Sequence, residues 1–326
     1  MAVYTQLGAE ELAEIVAAFD VGTLISAKGI AEGVSNSNWL IETARGGEAA
    51  TRFILTMYEQ RMDTGELPFF LGLLDHLAAR GCPVPRTIHD RAGRAFRFHQ
   101  NKALALIEFL PGVSVSTPGA EQARAVGEAL AKVHLAAADF AGERANRLGL
   151  ADWQALANAC GGEGLNAIHP ELAGLVMREL EALARQWPQD LPRSVIHADL
   201  FPDNVLMLGN RVTGLIDFYF ACNDITAYDV AVTHAAWCFS SDGRSFDPAC
   251  SQALLAGYHA VRPLGRDEQA ALPLLARGAA MRFLTTRAYD WMNTPQGALV
   301  TRKDPMAFAR RLEFYADPAN VGIFEL

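Results

Sequence analysis

The chain has 326 residues, 51% of them apolar, enough to bury one large core or two lobes, and its net charge of −9 lacks the basic excess that a nucleic-acid backbone demands of its partner. Five cysteines, Cys82, Cys160, Cys222, Cys238 and Cys250, form no C-x-x-C pair and are odd in number, so neither a disulfide framework nor a zinc site is expected and a reducing cytoplasm is the default. Residues 1–20 carry acids where a signal peptide needs a basic and then an apolar stretch, and no segment approaches the length of a bilayer span, which predicts a soluble protein with no membrane partner.

Taken in chain order, Leu7, Leu12, Ile15, Val16 and Phe19 recur at helical spacing until Asp20-Val21-Gly22 breaks the pattern, so an amphipathic helix leads. From Gly29 to about Leu110, β-prone runs at 38–43, 53–57, 95–98 and 104–109 are interrupted by one helical stretch near 68–80, the pattern of a small sheet plus a helix. Pro111-Gly112 marks a linker, after which Ala123, Val126, Leu130, Val133 and His134 return to helical spacing. Further helices are expected around 171–187, 228–239, 251–261, 267–292 and 305–315. The expected fold is α+β, with a lobe at 1–110 and a larger, mainly helical lobe at 111–326. No internal repeat or low-complexity tract appears.

Within the second lobe, residues 197–206 read HADLFPDNVL and residues 214–220 read GLIDFYF. Val205 to Leu208 is β-prone, Gly209-Asn210 signals a turn, and Val212 to Ile216 is a second run leading into Asp217, so a hairpin is expected. Because its turn falls near the midpoint between Asn204 and Asp217, folding brings those two side chains to the same end of adjacent strands. A carboxylate and an amide oxygen suit Mg2+ shared with the phosphates of ATP. Phosphoryl transfer asks the protein for few reacting groups, mostly positioning and charge neutralisation. Asp199 is the candidate base for a substrate hydroxyl. His197 completes the catalytic loop, in the role of fixing it through hydrogen bonds to backbone carbonyls. An H-x-D alone is commonplace; the joint pattern of loop, spacing and hairpin carries the reading.

The loop HADLFPDN and the strand end IDF resemble those of the aminoglycoside phosphotransferase and choline kinase superfamily, relatives of protein kinases. EGVSNSNWLIET at 32–43, FILTMYEQR at 53–61, LPFFLGLLDHLAARG at 67–81, LIDFYFACNDITAYDVA at 215–231, RPLGRDEQAALPLLARGAAMRFLTTRAYDW at 262–291 and GALVTRKDP at 297–305 narrow the resemblance to homoserine kinases of the kinase-like type. The resemblance implies a bilobal protein-kinase-like fold, with a small antiparallel-sheet lobe that binds nucleotide and a larger helical lobe that carries catalysis and substrate. It also implies phosphorylation of the L-homoserine hydroxyl by ATP with Mg2+, a step toward threonine. Kinases of an aminoglycoside, choline or methylthioribose remain the alternative, followed by a nucleotide-binding module without turnover.

The same resemblance sets expectations for the rest of the site. The nucleotide is expected between the lobes, with Glu108, Phe109 and Leu110 offering backbone groups to the adenine edge; pattern alone equally allows an ordinary edge strand. The segment from Gly29 to Asn38 could fold over the phosphates through backbone N–H groups and the Ser35 and Ser37 hydroxyls, although it is no GxGxxG and such stretches are more often turns. Thr56 stands where protein kinases use a phosphate-pairing lysine, and the helix opening Leu67-Pro68-Phe69-Phe70-Leu71 lacks the matching acid. Lys28 and Arg61 are both open as replacements. For the amino-acid substrate, Arg282 or Arg287 could hold the carboxylate, or both could simply cover their helix. Asn223 and Asp224 could approach the ammonium or cap a helix. Tyr228 and Asp229 are expected to brace the catalytic loop, and Trp237 to be core.

Overall fold

Alternation of apolar and polar side chains between residues 23 and 58 gives strands that can bury one face, and the computed structural model, which describes residues 5–30, 36–59, 63–294 and 302–326, shows where that face goes. The chain forms two compact units, Met1–Pro111 and Gly112–Leu326.

In the first unit a leading helix α1 (Ala9–Ala17) precedes strands β1 (Thr23–Ile30), β2 (Asn36–Ala44) and β3 (Thr51–Tyr58), then helix α2 (Leu67–Ala79) and strands β4 (Thr87–Ile88), β5 (Arg97–His99) and β6 (Lys102–Glu108). The strands form one antiparallel sheet in the order β1-β2-β3-β6-β4, with β5 also on β6. Trp39, Ile41, Phe53, Leu55, Met57, Leu104 and Leu106 share one face and pack on Leu12, Ile15, Val16 and Phe19 of the leading segment. Burying these large side chains stabilises the unit by roughly 2 kcal/mol each. The opposite face carries a row of Ile30, Asn38, Thr56 and Ala105 beside a row of Lys28, Leu40, Ile54 and Ile107. Strand β1 was not among the expected β-runs, because Gly29 and the Ser/Asn-rich residues after it read as a loop.

The second unit contains helices α3 (Ala120–Ala136), α4 (Leu150–Ile168) and α5 (Leu172–Gln186), strands β7 (Arg193–Ile196), β8 (Val205–Leu208), β9 (Arg211–Leu215) and β10 (Cys222–Ile225), and helices α6 (Thr226–Trp237), α7 (Pro248–Val261), α8 (Arg266–Asn293) and α9 (Met306–Ala316). α4 has no counterpart among the sequence expectations. The helix is kinked in its GGEG stretch, with Gly161 at φ 66°. α6 is buried on every residue, which makes it the central helix of the unit. α3 and α7 cross at close range because glycines sit at the contact. A Cβ on Gly127 would collide with the Leu254 carbonyl, and one on Gly257 with the Arg124 carbonyl. No helix among the described residues is long and apolar enough to cross a membrane.

One buried group in this unit predicts an acid limit to stability. His234 on α6 is fully buried between the Tyr315 hydroxyl (2.7 Å) and the Ser251 hydroxyl (2.8 Å), and burial pulls its pKa from 6.5 down to about 3. Since the folded pKa lies below the unfolded one, its contribution is complete above pH 6.5 and is lost as pH falls toward 3, on the order of 4 kcal/mol in all. Urea unfolding of wild type and His234→Gln at pH 7, 6, 5 and 4 checks this. The wild type should lose stability more steeply over that window, and parallel curves would refute it.

Candidate active site

The catalytic loop is held from behind. Its residue Ala198 has φ 63°, a left-handed conformation that costs a non-glycine residue about 1–2 kcal/mol. Three hydrogen bonds from two side chains hold it there. The Asp229 carboxylate on α6 accepts the backbone N–H of His197 at 2.6 Å and that of Ala198 at 2.8 Å, and the Arg282 guanidinium on α8 donates to the Ala198 carbonyl. Hydrogen bonds to charged groups contribute about 1.5–3 kcal/mol each, so the clamp outweighs the strain. Burial works against ionisation of Asp229, but the hydrogen bonds from His134 and from the loop backbone prevail and hold its carboxyl below the usual range. His134 on α3 donates Nε2–H to Asp229 (3.0 Å) and accepts from the Tyr258 hydroxyl on α7 (2.7 Å). The glycine-mediated approach of α3 and α7 allows that last contact.

His197 contributes through its neutral tautomer. The backbone N–H of Asp199 donates to Nδ1 (3.2 Å), so the proton sits on Nε2 and is donated to the Ile216 carbonyl (3.0 Å). Burial holds the ring pKa down, consistent with the neutral form. The imidazole therefore ties the loop to the strand end that leads into Asp217. Trp237, buried in the core, adds a further tie by donating to the Leu200 carbonyl at 2.9 Å.

The hairpin forms with Val205 opposite Leu215, a two-residue turn with Gly209 at φ 61°, and the Ile216 N–H donating to the Asn204 carbonyl at 3.0 Å. Asn204 and Asp217 thus flank the open end of the ribbon. The Asn204 amide donates to the Asp199 carbonyl (2.8 Å) and carboxylate (3.3 Å), which leaves its Oδ1 without a hydrogen bond among the described residues. Asp217 sits in the left-handed region at φ 64°, ψ 58°, and its side chain reaches solvent. No three His, Cys, Asp or Glu side chains converge on a metal-sized site among the described residues. Two oxygens completed by phosphates are what this end of the hairpin can offer Mg2+. Partial desolvation raises the Asp199 pKa to about 7, against the pull of Arg282 and with the push of Asp217. Partial desolvation and the like charge of Asp203 also raise Asp217.

Residues 26–264 match the model of the phosphotransferase enzyme family. The homoserine kinase of Xanthobacter autotrophicus is 50% identical over 97% of this chain and 96% of its own length, and that of Azorhizobium caulinodans is 50% identical over 98% of both. The chain belongs to the homoserine kinase family of phosphotransferases. Solved structures sharing the fold include spectinomycin phosphotransferase in complex with ADP and spectinomycin (TM-score 0.70, 14% identity, 98% of both chains) and an amicoumacin kinase in complex with AMP-PNP, Ca2+ and Ami (TM-score 0.68, 14% identity, 95% of this chain and 93% of that one).

For a member of this kinase family the remaining expected positions divide sharply. Ser35 and Arg61 lie outside the described residues. Ser37 is fully buried and donates to Glu59 at 2.7 Å, in a network with Thr5 and Lys102, so its hydroxyl is committed inside the first unit. Thr56, also buried, donates to the Asn38 amide oxygen at 2.8 Å; the usual lysine position is thus filled by a pair of neutral polar groups. Lys28 is exposed on that same sheet face. Glu108 ends β6, donating its N–H to the Arg86 carbonyl and accepting at its carboxylate from the Arg86 guanidinium at 3.2 Å, whereas Leu110 has no backbone partner among the described residues. Asp224 is not a helix cap. It lies on β10, paired with β7, and accepts from Arg193 (3.0 Å), Asn146 (2.7 Å) and the Ile225 N–H (2.7 Å). Arg282 is spent on the catalytic loop, while Arg287 donates, among the described residues, only to the Asp304 carbonyl, at 3.4 Å. Sequence reasoning missed His134 and Tyr258, and their spacing carried no signal beyond ordinary helical core positions.

Proposed function

We propose that this chain transfers the γ-phosphoryl group of ATP to the hydroxyl of L-homoserine, giving O-phospho-L-homoserine and ADP on the route to threonine. The observation that carries the reading is near-full-length identity of 50% to homoserine kinases, together with an intact loop and hairpin. Asp199 takes the hydroxyl proton as the oxygen attacks. Asn204 Oδ1 and the Asp217 carboxylate would hold Mg2+, which would supply positive charge to the phosphates. Arg282, Asp229 and His197 keep Asp199 in place without touching the reactants.

In the same reading residues 1–110 bind the nucleotide and residues 111–326 carry catalysis and substrate. The Leu110 backbone serves the adenine edge, and the half-buried face of Ile30, Leu40, Ile54 and Ile107 offers an apolar platform for the base. All five cysteines are free, the state a reducing compartment maintains, which supports a cytoplasmic setting.

An ADP-release assay with Mg-ATP and a panel of L-homoserine, L-serine, choline, kanamycin and methylthioribose tests the proposal. Homoserine alone should stimulate release. Stimulation by kanamycin or choline in its place would overturn the substrate, and binding of ATP with no turnover on any acceptor would favour a non-catalytic module.

A further inference from the structure

Beside the catalytic loop, an aromatic floor carries a guanidinium that no carboxylate meets in an ion pair among the described residues. Phe201 of the loop, Phe283 of α8 and Phe308 of α9 pack with ring centroids 4.9 Å apart for the Phe201–Phe283 and Phe283–Phe308 pairs. The Arg287 and Arg311 guanidinium groups both lie 4.5 Å from the centroid of Phe308. Arg311 spends donors on the Ala307 and Ser240 carbonyls. Arg287 has no ion pair among the described residues and one long hydrogen bond, to Asp304. Lys303 Nζ sits 5.8 Å from the Phe201 centroid and 3.9 Å from the Asp203 carboxylate. A half-buried guanidinium without an anion is costly, and desolvation lowers Arg287 to about 10 while Asp199, Asp304 and Asp203 act in the opposite direction. These carboxylates act from a distance and none pairs with Arg287 directly, so its fork is available to an anionic group of a ligand at the loop.

We propose that Arg287, with Lys303 beside it, receives the α-carboxylate of the amino-acid substrate; this rests on the reading of the chain as a homoserine kinase. Arg282 is excluded from the role because its guanidinium, between Phe220 (5.4 Å) and Phe283 (4.6 Å), is committed to the Ala198 carbonyl. The Arg287 fork can meet a planar carboxylate with two parallel hydrogen bonds. Its closeness to the charge of Asp199 suits a substrate whose hydroxyl and carboxylate are only three carbons apart. Both residues also lie beyond the stretch 26–264 that matches the general phosphotransferase model, in the part of the chain where acceptor choice can vary without altering the common machinery.

The test compares kcat/KM for L-homoserine with that for 3-aminopropan-1-ol, the same molecule without its carboxylate. Wild type should favour homoserine by roughly a thousandfold or more, and Arg287→Gln should bring the two within about tenfold, through the KM for homoserine and with the KM for ATP unchanged. Lys303→Met, at an exposed position, should lower the ratio by roughly tenfold. An Arg287→Gln enzyme that keeps the wild-type ratio overturns the proposal. Should that variant not fold, Arg287→Lys is read on the same ratio: a partial loss supports a forked contact, and an unchanged ratio overturns it. A wild type that ignores homoserine refutes the parent reading instead, so the two failures are distinguishable.

Discussion

Asp199→Asn lowers kcat by roughly a hundredfold to ten-thousandfold, the span expected for removal of a general base, while ATP binding remains close to wild type. The asparagine keeps the size of the side chain and a polar partner for Asn204, which donates to the carboxylate at 3.3 Å, so the loop geometry survives and only the proton acceptor is lost. The carboxyl is also tuned for the task. Partial desolvation raises it to about 7, with Arg282 opposing and Asp217 adding to the shift, and a base whose pKa lies near the working pH transfers protons most effectively. Metal-bound Asp217 would push less, so the acid limb of kcat/KM should fall below neutrality and disappear in the variant. ADP release at saturating homoserine, with binding of a fluorescent ATP analogue as the control, measures both halves. Near-normal turnover in Asp199→Asn would sink the assignment of the base.

Asp217→Asn is expected to weaken Mg-ATP binding by roughly a hundredfold while leaving metal-free ATP binding nearly unaltered, because removing an anionic ligand removes most of the protein's hold on the cation. Asparagine is the informative substitution here. Asp217 has φ 64° and ψ 58°, a region that asparagine tolerates and alanine resists. A loss seen with asparagine therefore reports the charge and not the backbone. Titration calorimetry with ATP, with and without Mg2+, separates the two terms, and retained tight Mg-ATP affinity would remove Asp217 from the metal site.

The parts of the molecule that the sequence made readable are those fixed by neighbours along the chain. The hairpin from Val205 to Leu215 follows from two β-prone runs and a Gly-Asn turn, and α8 follows from a long helical stretch that continues through Pro273. The readings that did not carry over depended on partners far away in sequence. Ser37 looked like a phosphate donor because nothing nearby shows that Glu59 and Lys102 claim it. Asp224 looked available to the substrate ammonium, or as a cap, because the pairing of Cys222–Ile225 with Arg193–Ile196, some thirty residues earlier, and the hydrogen bonds from Arg193 and Asn146 are not local patterns. Arg282 and Arg287 were indistinguishable as two arginines five residues apart on one helix; only the position of the Ala198 carbonyl tells them apart. His134 was readable as a core position but not as a polar one with a purpose, since its two partners come from α6 and α7.

The brace behind the catalytic loop has a bearing on how such an enzyme could be redesigned. Asp229, His134 and Tyr258 define the loop's shape entirely from its buried side, through groups that never need to meet an acceptor. The scaffold that fixes the reacting carboxylate is thereby separated from the surfaces that choose what is phosphorylated. A library aimed at a new alcohol can vary the exposed and half-buried positions of α8 from Arg287 onward and of the stretch from Arg302 to Met306, with Arg282 kept. It should leave the glycine-lined crossing of α3 and α7 untouched, because a single methyl group there would be felt at a residue it never contacts.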